Sequence, residues 1–275
     1  MDNNPLRQYF RRPSVYMKLP SKGIGYPEGA IDITETGELP VYPMTAIDEI
    51  TARTPDALFN GTAVVELIRS CIPNIKDPWS VSNVDLDAIL VAIKAASSPN
   101  GEMEIESQCP KCQDVSTFKI NLAAMLAGLS SPDFSTPLEL GDLKIRFRPL
   151  TFREVNEASV QQFELQRIFN QLDNTEDDDK KAKIMQEGLE KITNLTMELL
   201  SKSIVAIETP NMPVTETEFI LDFLKHCDRN LYVQIRDHSA KIRQDSELKP
   251  MKIQCASCSN EYEQTITLNP TDFFD

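Results

Sequence analysis

The chain has 275 residues, 41% of them hydrophobic and 7% aromatic, which supports one large or two ordinary domains with a real core and excludes global disorder. A formal net charge of −14 argues against a nucleic-acid surface as the main function, because phosphate binding needs basic stripes. No apolar run of about eighteen residues is present, so no transmembrane helix is expected, and Met1-Asp2-Asn3-Asn4-Pro5 lacks the apolar stretch of a secretory signal.

Residues 1–30 read as an extended arm, because Pro5, Pro13, Pro20 and Pro27 forbid a long helix. Arg7, Arg11, Arg12 and Lys18 make it the one basic stretch of an acidic chain. Tyr9, Phe10 and Tyr16 give it aromatic anchors, as do Phe273 and Phe274 near the C-terminus. Either these groups pack over their own domain or they dock on a neighbouring protein, and the arm and the C-terminal aromatics are the candidate partner-binding residues. Residues 31–101 are expected to form a small hairpin followed by helices. The hairpin pairs Ala30, Ile31 and Ile33 with Leu39, Val41 and Tyr42 around Thr36-Gly37-Glu38, and Pro40 and Pro43 confine its second run to an edge. Thr45 with Asp48 predicts a helix cap, Thr54-Pro55 a helix start, and Ala63, Val64, Leu67, Ile68 and Cys71 an apolar helical face that Pro73 ends. Val84, Leu86, Ile89, Leu90 and Ile93 predict another helix, broken at Ser97-Ser98-Pro99-Asn100-Gly101.

The next stretch carries the chemistry. Cys109-Pro110-Lys111-Cys112 lies between the alternating runs 103–108 and 115–122, and Cys255-Ala256-Ser257-Cys258 lies between the similar runs 251–254 and 262–268. Two thiolates spaced by two residues can bind one metal from a tight turn, and two such turns complete a tetrahedral four-cysteine site suited to Zn2+. Reduced cysteines are the expected state of a chain without a secretory signal, which favours a metal over disulfides. A redox pair is the competing reading of Cys-Pro-Lys-Cys. Such a pair is expected to open a helix, however, whereas both knuckles here lead into β-like sequence. Cys71 and Cys227, single and within apolar helical patterns, read as small buried hydrophobes.

Residues 123–248 then form a helical insertion between the halves of the composite unit 102–122 and 249–270. Ala123–Leu129 predicts a short helix, 130–142 a loop, and Leu143, Ile145 and Phe147 a half-exposed strand. Thr151 with Glu154 is a capping box opening a helical hairpin over 151–205, interrupted by the acidic run 173–179, which reads as a solvated link; it lacks the spaced glycine and terminal glutamate of a Ca2+ loop. Thr215 with Glu218 predicts a second capping box. The expected fold is therefore α+β and predominantly helical, with a split zinc-ribbon-like β unit interrupted by a long helical insertion. His226 and His238 sit on or beside helical faces, no nucleophile, phosphate-loop or metalloprotease motif is present, and no residue is nominated for catalysis, so a non-enzymatic protein is expected.

An ordered series of short motifs adds a resemblance. Leu19-Pro20-Ser21-Lys22-Gly23, Asp48-Glu49, Thr54-Pro55-Asp56-Ala57-Leu58, Asn60-Gly61, Cys71-Ile72-Pro73, Asp77-Pro78 and Asp85-Leu86-Asp87 lead up to the first knuckle. Over residues 15–150, and more loosely beyond, this order resembles the T4-type bacteriophage baseplate protein family, found among hub and hub-assembly components of contractile tails. The resemblance implies a phage-encoded, non-enzymatic protein that binds other tail or baseplate hub proteins during assembly in the host cytoplasm, as a virion component or an assembly chaperone. Cys255 and Cys258 rest on spacing chemistry and not on the resemblance. A zinc-ribbon nucleic-acid-binding or regulatory protein is the alternative, opposed by the charge.

Overall fold

The computed structural model describes residues 4–52, 60–172 and 178–265. Thr54-Pro55, the acidic residues 173–177, Phe273 and Phe274 lie outside the described residues. Those described form a mixed α/β chain of eight α-helices and four small sheets. They fold as two compact units. The first takes its residues from Met1–Pro78, Val84–Ser131 and Ser246–Asp275, and the second from Trp79–Asn83 and Pro132–Asp245. No described helix is long and apolar enough to cross a membrane.

In the first unit the arm opens with a 3-10 turn, Pro5–Tyr9, and continues into strand β1 (Val15–Met17). Strand β2 (Leu39–Val41) pairs with β1, Val15 opposite Val41 and Met17 opposite Leu39, and not with 30–33 as the sequence predicts. The backbone of 30–33 is engaged elsewhere. Ala30 C=O accepts from Lys76 and Asp77, and Asp32 N–H donates to Asn74 C=O. The predicted turn does form, with Gly37 at φ 75° and its N–H donating to Thr34 C=O, but it returns the chain to a different partner. Helices α1 (Ala46–Ala52), α2 (Thr62–Cys71) and α3 (Asn83–Ser97) follow. Thr45 and Asp48 cap α1 reciprocally, Thr45 N–H to Asp48 Oδ2 at 2.7 Å and Asp48 N–H to Thr45 Oγ1 at 3.2 Å. The unit's core takes Val64, Leu67, Ile68 and Cys71 from α2 and Ala88 to Ile93 from α3, with Met17, Leu39 and Val41.

Asp85, in the first turn of α3, is fully buried and organises the loop after β1. Its carboxylate accepts from the Ser21 N–H at 2.7 Å, the Ser21 hydroxyl at 2.5 Å and the Tyr26 hydroxyl at 2.9 Å. Burial raises its pKa and these three donors oppose the rise. Gly23 must be glycine for this loop to close, since its φ is 84° and a Cβ would lie 2.7 Å from Ile33 Cδ1.

Two antiparallel hairpins complete the unit. Strands β3 (Glu102–Gln108) and β4 (Val115–Asn121) pair along their whole length, and Asn121 caps the short helix α4 (Leu122–Ala127) by accepting from Ala124 N–H at 2.8 Å. The other hairpin, described with the site below, comes from the end of the described chain.

The second unit is built on a four-stranded antiparallel sheet in the order β5-β6-β7-β8: β5 (Leu138–Leu140), β6 (Leu143–Phe147), β7 (Ile204–Glu208) and β8 (Pro213–Val214). The predicted loop 130–142 thus ends in a strand, turned back on β6 through Gly141 at φ 59°. Between β6 and β7 run α5 (Phe152–Leu172) and α6 (Asp178–Lys202). These pack antiparallel, Phe169 of α5 lying against Gly188 of α6. The Thr151–Glu154 box forms, Thr151 N–H donating to Glu154 Oε2 at 2.8 Å and Glu154 N–H to Thr151 Oγ1 at 3.3 Å, and Arg148 binds the same carboxylate with both terminal nitrogens. The predicted box at Thr215 and Glu218 does not form. Helix α7 (Thr217–His226) starts from Glu216 as its N-cap, which moves Glu218 out of the position a box requires. Helix α8 (Arg229–Ser246) follows, with Asp228 accepting from the Asn230 and Leu231 amides. The core joins Ile145, Phe147, Ile204 and Ile207 of the sheet to Leu200, Ile220, Leu224, Ile235 and Ile242 of the helices.

Candidate metal centre

Each cysteine pair sits on the turn of its own hairpin. The first joins β3 to β4; the second joins β9 (Met251–Gln254) to β10 (Glu261–Gln264), which pair antiparallel. The two turns repeat one another bond for bond. Cys109 N–H donates to Asp114 C=O and Gln113 N–H to Cys109 C=O, both at 2.9 Å. Cys255 N–H donates to Asn260 C=O and Ser259 N–H to Cys255 C=O at the same distances. Gln108 and Gln254, each just before its first cysteine, donate their side-chain amides to Gln113 C=O and Ser259 C=O. Gln113 at φ 60° and Ser259 at φ 55° are left-handed, so each turn holds a non-glycine residue where glycine would be free of strain.

The turns bring the sequence-predicted Cys109, Cys112, Cys255 and Cys258 together, their four sulfurs within 4.8 Å of one another. Cys109 Sγ lies 3.7 Å from Cys258 Sγ, and Cys112 Sγ 3.6 Å from Cys255 Sγ. A tetrahedral four-thiolate ion with metal–sulfur bonds of about 2.3 Å places its sulfurs about 3.8 Å apart, so the arrangement fits a bound metal. All four cysteines are free thiols, so no disulfide competes for them. Cys109 and Cys255 are buried, while Cys112 is exposed and Cys258 half-exposed, which leaves one side of the cluster open to solvent.

The electrostatics divide the first pair, favouring the thiolate at Cys109 and opposing it at Cys112. The Cys112 amide, acting against burial and aided by the Lys111 amide and the neighbouring thiols, draws the Cys109 thiol down to about 6. At Cys112 the Asp114 amide also works downward, but hydrogen bonds with Cys258, Cys255 and Cys109 outweigh it and push that thiol up to about 12. A dication replaces the protons that hold such a thiol cluster together.

Around the sulfurs lies a polar brace that the sequence pattern does not single out. Asp114 Oδ2 accepts from the Ser257 hydroxyl of the other hairpin at 2.6 Å and from the Ser116 hydroxyl at 3.2 Å. Ser107 Oγ donates to Gln264 Oε1 at 2.5 Å and lies 3.0 Å from the Tyr262 hydroxyl. The equal spacing of Asp114 and Asn260 beyond their knuckles signals only their shared backbone role in the turns, not the Asp114 carboxylate brace.

The arm residues divide. Arg11 is engaged within its own chain: its guanidinium donates to Pro43 C=O at 2.6 Å, to Ser70 C=O at 2.9 Å, to Ser70 Oγ at 2.7 Å and to Asp48 Oδ2 at 3.3 Å, and lies over the Tyr42 ring. Tyr9, 78% exposed, and Phe10 and Tyr16 stand in solvent beside the anchored arginine, with Arg7 and Arg12 exposed among them. Cys71, beneath Arg11, is buried and its thiol is pushed up to about 11 by burial and then by Asp48.

No curated protein and no solved structure matches the chain. The family model for T4 bacteriophage base plate protein, by contrast, matches residues 37–275, a span that takes in both knuckles, all of the second compact unit and the first from residue 37 onward. The chain belongs to the T4 bacteriophage base plate protein family.

Proposed function

We propose that this protein is a component of the phage tail baseplate hub, or a hub-assembly chaperone, that binds other tail proteins while contractile tails assemble in the host cytoplasm. Its role is structural and non-enzymatic in this reading, and a structural Zn2+ on Cys109, Cys112, Cys255 and Cys258 holds part of its fold. The family match over 37–275 carries the proposal. The partner surface is the arm, where Arg11 holds the segment in place so that Tyr9, Phe10 and Tyr16, with Arg7 and Arg12, meet an acidic partner with little further ordering. The all-sulfur donor set supports zinc over hard cations, which prefer oxygen ligands.

Quantitative mass spectrometry of purified virions and of infected-cell lysates tests the role. A fixed copy number in tails identifies a component. Absence from virions together with failed tail assembly in a deletion phage identifies a chaperone. Normal tails in the deletion phage overturn the proposal. Metal analysis of protein purified without chelator is expected to give one zinc per chain, lost in a Cys255→Ser/Cys258→Ser variant.

A further inference from the structure

We infer that the four-cysteine site is a docking switch for the hairpin β9–β10: bound metal holds Met251–Gln264 on the first unit, and removal of the metal releases that hairpin alone. The inference rests on the metal-centre reading above and asks what the metal holds in place.

The two halves of the site are unequal. The β3–β4 hairpin is built into the first unit without help from the metal. Ile120 and Leu122 are fully buried, Leu122 N–H donates to Gly101 C=O, and β4 runs directly into the capped helix α4. The β9–β10 hairpin has no such support. Along Met251–Gln254 and Glu261–Gln264 every residue is exposed or half-exposed, and Cys255 is its one buried side chain among the described residues. Among the described residues it forms a two-stranded sheet of its own, as β3–β4 does, but without buried residues like Ile120 and Leu122 to anchor it. An isolated two-stranded hairpin without a buried apolar face is marginal in water.

Among the described residues, the side-chain hydrogen bonds that link the hairpins, apart from the sulfurs themselves, run from Ser257 to Asp114 and join Tyr262 and Gln264 to Ser107. The Ser257–Asp114 bond is solvent-exposed, and such bonds exchange with water at little net gain. The sulfur contacts become bonds only through an ion. Binding therefore proceeds in an order set by the fold: Cys109 and Cys112 are presented first on a formed turn, and Cys255 and Cys258 are captured with their hairpin. The exposed side of the cluster at Cys112 and Cys258 is where an ion enters and a chelator reaches it.

Hydrogen–deuterium exchange on the full, reduced chain tests this, with zinc added and after treatment with a zinc chelator. Release of zinc is followed in parallel by the absorbance of 4-(2-pyridylazo)resorcinol. On loss of zinc, amides of 251–264 are expected to exchange faster by about a hundredfold, while those of α2, α3, β6 and β7 keep their rates. The Cys255→Ser/Cys258→Ser variant is expected to show the fast pattern at 251–264 even with zinc present. Zinc binding without any change at 251–264 on chelation overturns the switch but leaves the metal centre standing. Loss of protection throughout the first unit also overturns it, because the metal is then a global staple. A chain that takes up no zinc overturns both.

Discussion

Asp85 shows how one buried group fixes a loop. Its three donors come from Ser21 and Tyr26, so removing the carboxylate strands three hydrogen-bonding groups and opens a space in the first unit. Asp85→Ala is expected to cost about 3 kcal/mol and Asp85→Asn less, measured by urea denaturation. His238 makes a different prediction. Its Nε2 is buried without a hydrogen-bond partner, its ring lies 5.1 Å from that of Phe147, and burial, then Lys241, holds its pKa below the ordinary 6.5. A base with a depressed folded pKa takes its proton in the unfolded state first. Its contribution is thus present above about pH 6.5 and is lost as pH falls through the folded value. Replacing His238 with Phe is expected to flatten the fall in Tm between pH 7 and 5, approximately the range in which an ordinary histidine titrates. The role of Asp85 was half legible in the sequence: Ser21 and Asp85 both belong to the motif series, but only the fold shows that they meet. His238 carried no signal at all, since an unpartnered nitrogen is a property of its surroundings.

At the scale of elements, local chemistry was readable and non-local pairing was not. The Thr45–Asp48 and Thr151–Glu154 caps form as their spacing predicts, because both partners lie within one turn. The Thr215–Glu218 box failed through a shift in where α7 begins, and β2 took β1 as its partner because the backbone of 30–33 was already committed to 74–77. The α5–α6 hairpin was legible as two apolar periodicities, but its closeness was not. A Cβ at Gly188 would lie 2.3 Å from the Phe169 ring, so this mid-helix glycine, which costs α6 about 1 kcal/mol in propensity, is what lets the helices approach. Gly188→Ala is expected to destabilise the protein by about 1–2 kcal/mol despite that gain, and Gly188→Ala with Phe169→Leu to recover most of the loss, as a double-mutant cycle of melting temperatures would show. Likewise Arg11→Ala, which removes the clasp on Pro43, Ser70 and Asp48, is expected to raise protease cleavage between Pro5 and Ser14 several-fold without changing metal content.

Across the whole molecule, charge and the four-cysteine cluster carry the predictions. An arm carrying Arg7, Arg11, Arg12 and Lys18 on a chain of net charge −14 is expected to hold an acidic tail partner less tightly as salt rises, by about tenfold or more in Kd between 50 and 500 mM NaCl. Titration calorimetry against isolated tail proteins checks this, and an unchanged affinity after deletion of residues 1–18 places the contact elsewhere. The cysteine spacing was the most legible feature of all, because four donors two by two admit few geometries. The matched turns have a consequence for synthesis. Cys109 and Cys112 leave the ribosome well before Cys255, at ordinary elongation rates on the order of ten seconds earlier. For that interval the nascent chain carries half a ligand set, and a product truncated anywhere between residues 113 and 254 never acquires the rest. If the four cysteines bind the proposed metal, full occupancy is a property open only to chains that extend past Cys258, a chemical mark that both halves of the site have been made.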